Sequence, residues 1–399
     1  MGGLAAATAF VRLGAHVRVF EKSSAPFTER GSSLGFCDVA LWQALTGRRM
    51  IRRGQQASRS QGAFMYGDLW EFLAEGLEPG VISFGQHVLD LGDPQHPTVQ
   101  GERYDLAVIA DGGWSELRSR YFSSEERPTY AGFQGWRFKV PLSAVPGWNT
   151  EGEFSHASDF VIMMKIAKNN GEDWIMGGAA IAEPESEVTK PSAGWNRQAD
   201  GMDVQGTPAW FMDYFRARFG YVRQGELVRV MEAAARTGKI TPNPQYEFCA
   251  SRVVQGALVL VGDSAHMGTP RTATGAHTAV LDGAALFNTF QPLLRADVGG
   301  KRGGWSELAA RGLKLYEPAA LHRAQGLYQR SLTTSLDVLP RGWTREDAVT
   351  PMTIERARSL SVLQLKNELY VRRVSLAGLK EKEDLVQALL TAARLVPQE

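Results

Sequence analysis

The sequence predicts an α/β protein in which a doubly wound domain is interrupted by an antiparallel-sheet domain and followed by a small helical unit. Two nearly continuous apolar segments, residues 104–110 and 257–261, have the pattern of strands buried in a parallel sheet. Between them, strand-like segments are joined by polar turns with little helix, which is typical of an antiparallel sheet. Because the α/β pattern returns afterwards, we expect the sheet domain to be an insertion.

The elements expected before the insertion alternate helix and strand, as a doubly wound sheet requires. The alanine-rich residues 2–15 favour a helix, and residues 16–20 alternate like a strand that stops at Glu21. The same patterns predict helices over 68–77 and 114–122, and strands over 81–85, 87–91 and 104–110.

The insertion and the segments after it follow the same reasoning. Strands are predicted over 132–140, 159–167, 173–182 and 257–261, and helices over 210–219, 226–235, 276–289 and 305–330. A linker is expected around residues 337–352. We therefore divide the chain into a nucleotide-binding domain (1–122 and 250–290), a substrate domain (123–249), a helical extension (291–336) and a C-terminal unit (354–394).

The composition excludes several classes of protein. The 44 Lys and Arg residues balance 43 Asp and Glu residues, which argues against a surface that binds polyanions over its whole extent. Two cysteines, Cys37 and Cys249, are too few for a disulfide scaffold or a cysteine-rich zinc module, and the histidines show no metal-ligand spacing. No apolar run is long enough to span a bilayer. We expect a soluble protein of the cytoplasm or of an organelle.

The first 21 residues contain part of a dinucleotide-binding βαβ unit. Such a unit needs a strand, a glycine-rich turn, a helix whose N-terminus faces the pyrophosphate, and an acid ending the second strand. Gly2, Gly3 and the helix after them supply the later part, and Glu21 follows Gly3 by 18 positions, close to the roughly 20 expected for a ribose-binding acid. The alternative is a core helix followed by an exposed glutamate.

Two further acids stand at strand ends, where open α/β sheets bind ligands. Asp111 with Gly112 follows the strand 104–110, and Asp263 follows the strand 257–261. After Asp263, Pro270 favours a rigid turn and Gly275 lets the backbone approach a flat ligand. His266 lies between them, either near that ligand or packed within the turn.

With these residues in place, the sequence resembles the FAD-dependent aromatic hydroxylases, the family of para-hydroxybenzoate, salicylate and 2,6-dihydroxypyridine hydroxylases. The resemblance covers residues 1 to about 330 and is most specific over 262–283, which read GDSAHMGTP…TGAHTAVLDG. It implies a Rossmann-like FAD-binding domain and an enzyme that uses NAD(P)H and O2 to hydroxylate a small aromatic or heteroaromatic substrate.

The resemblance also implies roles for single residues. Glu21 would bind the adenosine ribose, Asp263 the ribityl chain, and Arg30 the phosphate region. Three residues would lie by the pyrimidine edge of the flavin, namely Gly275, Ala276 and His277. Gly2, Gly3, Asp111 and Pro270 complete the cofactor-binding candidates. No residue is assigned as a catalytic base.

The sequence departs from the family pattern in three places. The first strand and the first two glycines are absent, so we expect the reading frame to continue upstream of Met1 and the printed chain to bind FAD weakly. Residues 66–69 occupy the place where many members have an arginine, and His277 replaces a small or amide side chain.

The C-terminal residues 354–394 resemble a SAP module, a helix–loop–helix unit that often binds DNA. In that family basic residues near the loop contact phosphates, so the candidates are Lys366, Arg372, Arg373 and Lys380. The contact expected through this unit is a weak one with a nucleic acid or a protein. The alternative is a docking or stabilising hairpin, since acidic residues dilute the charge.

Two other functions remain open from the sequence. One is a non-catalytic flavoprotein remnant that serves as a scaffold for the SAP-like unit. The other is a different reaction on the same fold, such as flavin-dependent halogenation or a reductase, although residues 132–141 do not match the tryptophan-containing WxWxIP signature of such halogenases.

Overall fold

The structure is a computed structural model that describes residues 1–27, 33–34, 38–48, 64–167, 171–188, 209–236, 240–296 and 304–393. No helix in these ranges is both long enough and apolar enough to cross a membrane. The helices in chain order are α1 (Gly2–Arg12), α2 (Val39–Thr46), α3 (Tyr66–Ala74), α4 (Glu116–Tyr121), α5 (Ala209–Phe219), α6 (Glu226–Arg236), α7 (Gly275–Ala296), α8 (Trp305–Leu336), α9 (Arg345–Val349), α10 (Ile354–Ser359), α11 (Val362–Val371) and α12 (Lys382–Ala392).

The strands in chain order are β1 (Val19–Glu21), β2 (Ser33–Leu34), β3 (Phe64–Met65), β4 (Ile82–Phe84), β5 (Gly92–Asp93), β6 (His96–Val99), β7 (Glu102–Arg103), β8 (Ala107–Ile109), β9 (Thr129–Pro141), β10 (Gly152–His156), β11 (Asp159–Ala167), β12 (Asp173–Ala182), β13 (Ile240–Cys249), β14 (Val254–Gln255), β15 (Leu258–Leu260) and β16 (His266–Met267).

The α/β part contains two parallel strand pairs, β1 with β4 and β8 with β15. Helix α1 packs closely on α7, because Gly283 has no side chain: an added Cβ would lie 2.6 Å from the carbonyl carbon of Ala5. The core beneath these elements contains the fully buried Leu258 and Val259 of β15 together with Phe290 of α7. This packing fixes the start of α1 against the end of β15.

The second part is a six-stranded antiparallel sheet in the order β10-β11-β12-β9-β13-β16. Its apolar face packs on α5 and α6, where Trp136 of β9 stacks on Phe211 of α5 with ring centroids 4.2 Å apart. The edge strand β16 belongs to the chain segment that leaves β15, so it joins this sheet to the α/β part. The predicted fold class, α/β with an antiparallel-sheet domain and a helical C-terminal region, is confirmed.

Several predicted boundaries differ from the structure. Helix α3 begins at Tyr66 rather than at Asp68. Asp68 lies in the first turn, where its negative charge interacts favourably with the helix dipole. Residues 87–91 form no strand, because the Leu91 N–H donates to the Tyr121 hydroxyl, 2.7 Å away, instead of to a neighbouring strand. Helix α1 ends at Arg12, and α7 and α8 extend to Ala296 and Leu336.

The C-terminal helices dock on the sheet domain. The expected linker contains α9 and buries Trp343 against the sheet domain, where the Trp343 Nε1–H donates to Glu368 of α11 at 3.2 Å. Arg372 bonds Glu187 at 2.8 Å, and Arg373 bonds Glu183 at 2.9 Å. Two of the four basic residues expected to contact phosphates are thus used within the protein, so nucleic-acid contact is not supported.

Candidate functional site

The candidate site lies where the carboxyl ends of β8 and β15 meet the N-terminus of α1. An added Cβ on Gly2 would lie 3.3 Å from the Gly262 nitrogen, and one on Gly3 would lie 3.1 Å from the Ala110 Cβ. Larger residues would push the helix off both strand ends. Gly2 and Gly3 therefore lie at the ends of the two strands, next to the turn that carries Asp263.

Asp263 presents an acceptor to this region. Its side chain is exposed, yet the surrounding protein raises its pKa by desolvation, while His266 and the Met1 amino group act in the opposite direction. The preceding Gly262 has φ +59°, a conformation that L side chains rarely adopt, so the turn that aims Asp263 needs a glycine.

A buried carboxylate supports this turn from beneath. Asp282 of α7 accepts hydrogen bonds from the Gly262 N–H at 2.9 Å and from His266 Nε2 at 2.7 Å, both on Oδ2. Its other oxygen accepts from Arg323 of α8 at 3.1 and 3.2 Å. With both oxygens engaged, Asp282 links β15, β16, α7 and α8 at one point.

His266 is buried against Asp282, which fits the packed interpretation of its position. Burial lowers its pKa, but the charge and hydrogen bond of Asp282 and the charge of Asp263 outweigh burial, so the pKa is raised. Its Nδ1 is buried and has no hydrogen-bond partner among the described residues.

The turn before α7 leads to an open helix N-terminus. Pro270 begins a short 3-10 turn that ends at Thr272, and Ala273 then takes φ +53°. Gly275, the first residue of α7, has no atom within 4 Å of an ideal Cβ. Ala276 and His277 follow at intermediate exposure, and burial lowers the His277 pKa against an opposing effect of Asp38.

The loop after β8 is held by a buried arginine. Asp111 is exposed, and Gly112 after it has φ +96°. Arg118 of α4 donates to the carbonyl oxygens of Gly113 at 2.7 Å and Ser264 at 2.9 Å, and its guanidinium lies 3.9 Å from the ring centroid of Phe248. It thereby ties the loops after β8 and β15 together.

Of the two remaining candidates, Glu21 and Arg30, the structure describes only Glu21. Glu21 is half-buried at the end of β1 and accepts the Ser23 N–H at 2.8 Å. Its charge and that of Asp263 both act on the Met1 amino group, so the two carboxylates flank the start of α1. Arg30 lies outside the described residues.

Sequence patterns predict neither the partners of Asp282 nor the bridging role of Arg118. No local sequence pattern predicts these contacts, because the partners are far apart in the chain. Asp282 and Arg323 are separated by 41 positions, and Arg118 and Ser264 by 146.

Comparison with known proteins shows which solved structures share this fold. No protein-family model matches the chain. A stretch of 126 residues is 31% identical to the FAD-dependent monooxygenase sor5 of Hypocrea jecorina (strain QM6a), covering 30% of this chain. The match spans about a quarter of that relative, 26% of its length.

Similar solved structures cover nearly the whole chain. One is 2,6-dihydroxypyridine-3-hydroxylase from Arthrobacter nicotinovorans, with a TM-score of 0.61 and 16% identity over 88% of this chain and 94% of that chain. Another is Klebsiella pneumoniae HpxO complexed with FAD and uric acid, with a TM-score of 0.59 and 17% identity over 98% and 95%. A salicylate hydroxylase substrate complex has a TM-score of 0.58 and 18% identity over 98% and 96%. The expected resemblance is confirmed as a shared fold.

Proposed function

We propose that this chain binds FAD at the ends of β8 and β15 and is a flavin-dependent monooxygenase. It would use NAD(P)H and O2 to hydroxylate a small aromatic or heteroaromatic substrate. The observation that carries the proposal is the accessible Asp263 carboxylate, set on a glycine turn between the N-termini of α1 and α7. The fold shared with aromatic hydroxylases supports the same function.

The residues present fit the cofactor. A flavin nucleotide needs acceptors for its hydroxyl groups, donors for its phosphates and close backbone approach to a flat ring. Asp263 and Glu21 supply acceptors, and the first N–H groups of α1 supply donors, since that helix has no side-chain cap. Open space at Gly275 allows the approach of a ring.

We assign the roles accordingly. Asp263 would bind the ribityl chain, Glu21 the adenosine ribose, and Arg30 the phosphate region. Gly2, Gly3 and Asp111 would line the nucleotide, and Pro270, Gly275, Ala276 and His277 would lie beside the flavin. FAD, when bound, would supply the transfer of two electrons from NAD(P)H to O2. One oxygen atom is then added to a ring carbon of the substrate as a hydroxyl group, and the other leaves as water.

The protein's own task is to orient the ring and to exclude water. Asp282 and Arg118 fix the turns that carry Asp263 and Gly112, so the acceptors stand in place before a ligand arrives. Such preorganisation lowers the cost of binding. The aromatic compounds in the names of the structural neighbours, dihydroxypyridine, uric acid and salicylate, indicate the substrate class.

The alternative of a scaffold for a nucleic-acid-binding module is not favoured. The C-terminal unit uses Arg372 and Arg373 to dock on the sheet domain, so its strongest basic pair is unavailable to phosphates.

The test begins with FAD titration of the purified full chain, followed by NAD(P)H oxidation against a panel of hydroxylated aromatic and heteroaromatic compounds. We expect FAD binding and substrate-stimulated NAD(P)H oxidation with a hydroxylated product. Asp263→Asn should weaken FAD binding by about ten- to a hundredfold, the usual value of hydrogen bonds to a charged group. Asp93→Asn, an exposed turn aspartate in β5, is the matched control and should bind like the wild type. A chain that neither binds FAD nor consumes NAD(P)H would overturn the proposal.

A further inference from the structure

A buried carboxylate outside the site holds the turn that precedes α7. Glu247 of β13 and Ser331 of α8 are 1% and 0% exposed. The Ser331 hydroxyl donates to Glu247 Oε1 at 2.7 Å, and its oxygen accepts the Thr269 backbone N–H at 2.7 Å. A strand of the sheet domain thus controls, through one serine, the backbone of the residue before Pro270.

Two more donors complete the carboxylate. Ser335, one helical turn after Ser331, donates to Glu247 Oε1 at 2.7 Å, and its hydroxyl lies 3.2 Å from the Thr269 hydroxyl. Arg345 of α9 pairs with Glu247 Oε2 at 2.6 Å. All three partners are hydrogen-bond donors, so both oxygens of the Glu247 carboxylate are engaged. Two serines and an arginine fix the position of this carboxylate.

Thr269 anchors part of the hydrogen bonding inside the turn, and the Ala273 N–H donates to the Pro270 carbonyl at 2.9 Å. The Thr272 N–H and hydroxyl both donate to the Thr269 carbonyl at 3.0 Å, and the Thr274 N–H donates to the Thr272 hydroxyl at 3.3 Å. Ala273 between them keeps a left-handed φ of +53°. Such a conformation in a residue other than glycine persists only where the surroundings fix it. A shift of Thr269 therefore shifts the segment as far as Gly275.

We propose that Glu247 is a positioning residue for the ligand-facing turn Thr269–Gly275 and acts on it through Ser331. Arg345 connects the same carboxylate to α9, in the segment between α8 and the C-terminal unit. The inference rests on the proposed function for the identity of the ligand, FAD. The attachment of the turn rests on the structure alone.

The first experiment needs no ligand. Hydrogen–deuterium exchange of residues 269–276 is measured on the full chain without FAD for the wild type, Ser331→Ala and Thr333→Ala. Thr333 is an exposed neighbour on α8 whose hydroxyl bonds only the Gln329 carbonyl, so it is the matched control. We expect exchange about tenfold faster in Ser331→Ala, the value of one lost hydrogen bond, and unchanged exchange in Thr333→Ala. The strand β15 is the internal reference and should not change.

Two more variants keep the test decisive if Ser331→Ala fails to fold. Ser335→Ala leaves the acceptor of the Thr269 N–H in place and should accelerate exchange less. Glu247→Gln keeps the volume and one acceptor oxygen, and it should accelerate exchange by an intermediate amount. Exchange in 269–276 that stays at the wild-type rate in all folded variants overturns the proposal.

The second experiment asks whether the turn faces the ligand. FAD titration of folded Ser331→Ala should give a dissociation constant raised about tenfold, whereas Thr333→Ala binds like the wild type. Faster exchange with unchanged FAD affinity would show that Glu247 holds a turn that does not face the ligand, and would sink the positioning role. Failure of the wild type to bind FAD counts against the proposed function and leaves the exchange result to decide the attachment.

Discussion

His266 Nε2 lies 2.7 Å from Asp282 Oδ2, and both side chains are almost fully buried. The pair joins the edge strand of the antiparallel sheet to helix α7 directly beneath the Gly262–Asp263 turn, since the same Asp282 oxygen accepts the Gly262 N–H. The most buried ion pair near the site therefore lies one layer below the residues that would contact a ligand.

Asp282→Asn should strongly destabilise the protein. The change leaves the buried His266 and the partly buried Arg323 without their carboxylate, and breaking one side of a buried pair typically costs about 3–5 kcal/mol. The measurement is the free energy of unfolding by urea. Asp337→Asn is the control, because Asp337 is 69% exposed in its pair with Arg271 and should cost at most about 1 kcal/mol. Equal losses in the two variants would contradict a special role for Asp282.

The same pair predicts a dependence of stability on pH. Burial lowers the His266 pKa, but Asp282 and Asp263 outweigh burial and Arg323, so the folded-state pKa is raised. Its contribution is complete below the unfolded-state pKa of about 6.5 and is lost as the pH rises through the folded-state value. Burial raises the Asp282 pKa, but its partners lower it overall, so that contribution is complete above about pH 4 and is lost as the pH falls through the folded-state pKa.

The pH dependence is checked by comparing the unfolding free energy of the wild type with that of His266→Gln across neutral and alkaline pH. We expect the stability difference to shrink as the pH rises. His87→Gln serves as the control, because His87 is half exposed and 3.8 Å from Glu116. A wild-type advantage over His266→Gln that stays constant with pH would rule out a charged His266.

Two glycines on helices should respond in opposite directions to alanine. Gly283→Ala places a Cβ 2.6 Å from the Ala5 carbonyl carbon, so we expect a loss of about 1–3 kcal/mol from overpacking between α1 and α7. Gly326→Ala in α8 meets no atom within 4 Å and should stabilise by about 0.5–1 kcal/mol. Thermal unfolding of both variants measures the contrast. A neutral Gly283→Ala would mean that the two helices do not pack as closely as described.

Arg372→Gln should loosen the C-terminal unit. The Arg372 side chain is 3% exposed and pairs with Glu187 and Glu368. Its loss leaves the largely buried Glu187 without its cation, while Glu368 keeps the longer pair with Arg356 at 3.5 Å. Limited proteolysis of the loop 373–381 should become at least about tenfold faster. Lys366→Gln, an exposed change on the same helix, should leave the rate unchanged. Identical cleavage in both variants would contradict docking through Arg372.

Local patterns were enough for most of the elements. Strands β11 and β12 coincide with the predicted segments 159–167 and 173–182, because long strands with a continuous apolar face carry their own signal. The placement of Asp263 and Gly275 after a buried strand was equally readable. Where predictions were wrong, as for the strand 87–91, a contact with distant Tyr121 decided the conformation.

By itself the sequence determined the fold class and the side of the sheet on which acids and glycines gather, since strand ends and turns are set within a few residues. Tertiary structure alone decided which charges meet. Glu247 finds Ser331 84 positions away, and Arg372 finds Glu187 185 positions away, so no local pattern encodes either contact. Buried polar groups must be satisfied wherever the fold brings them together, and the folded chain thereby turned a serine on α8 and an arginine on α9 into supports of the candidate site.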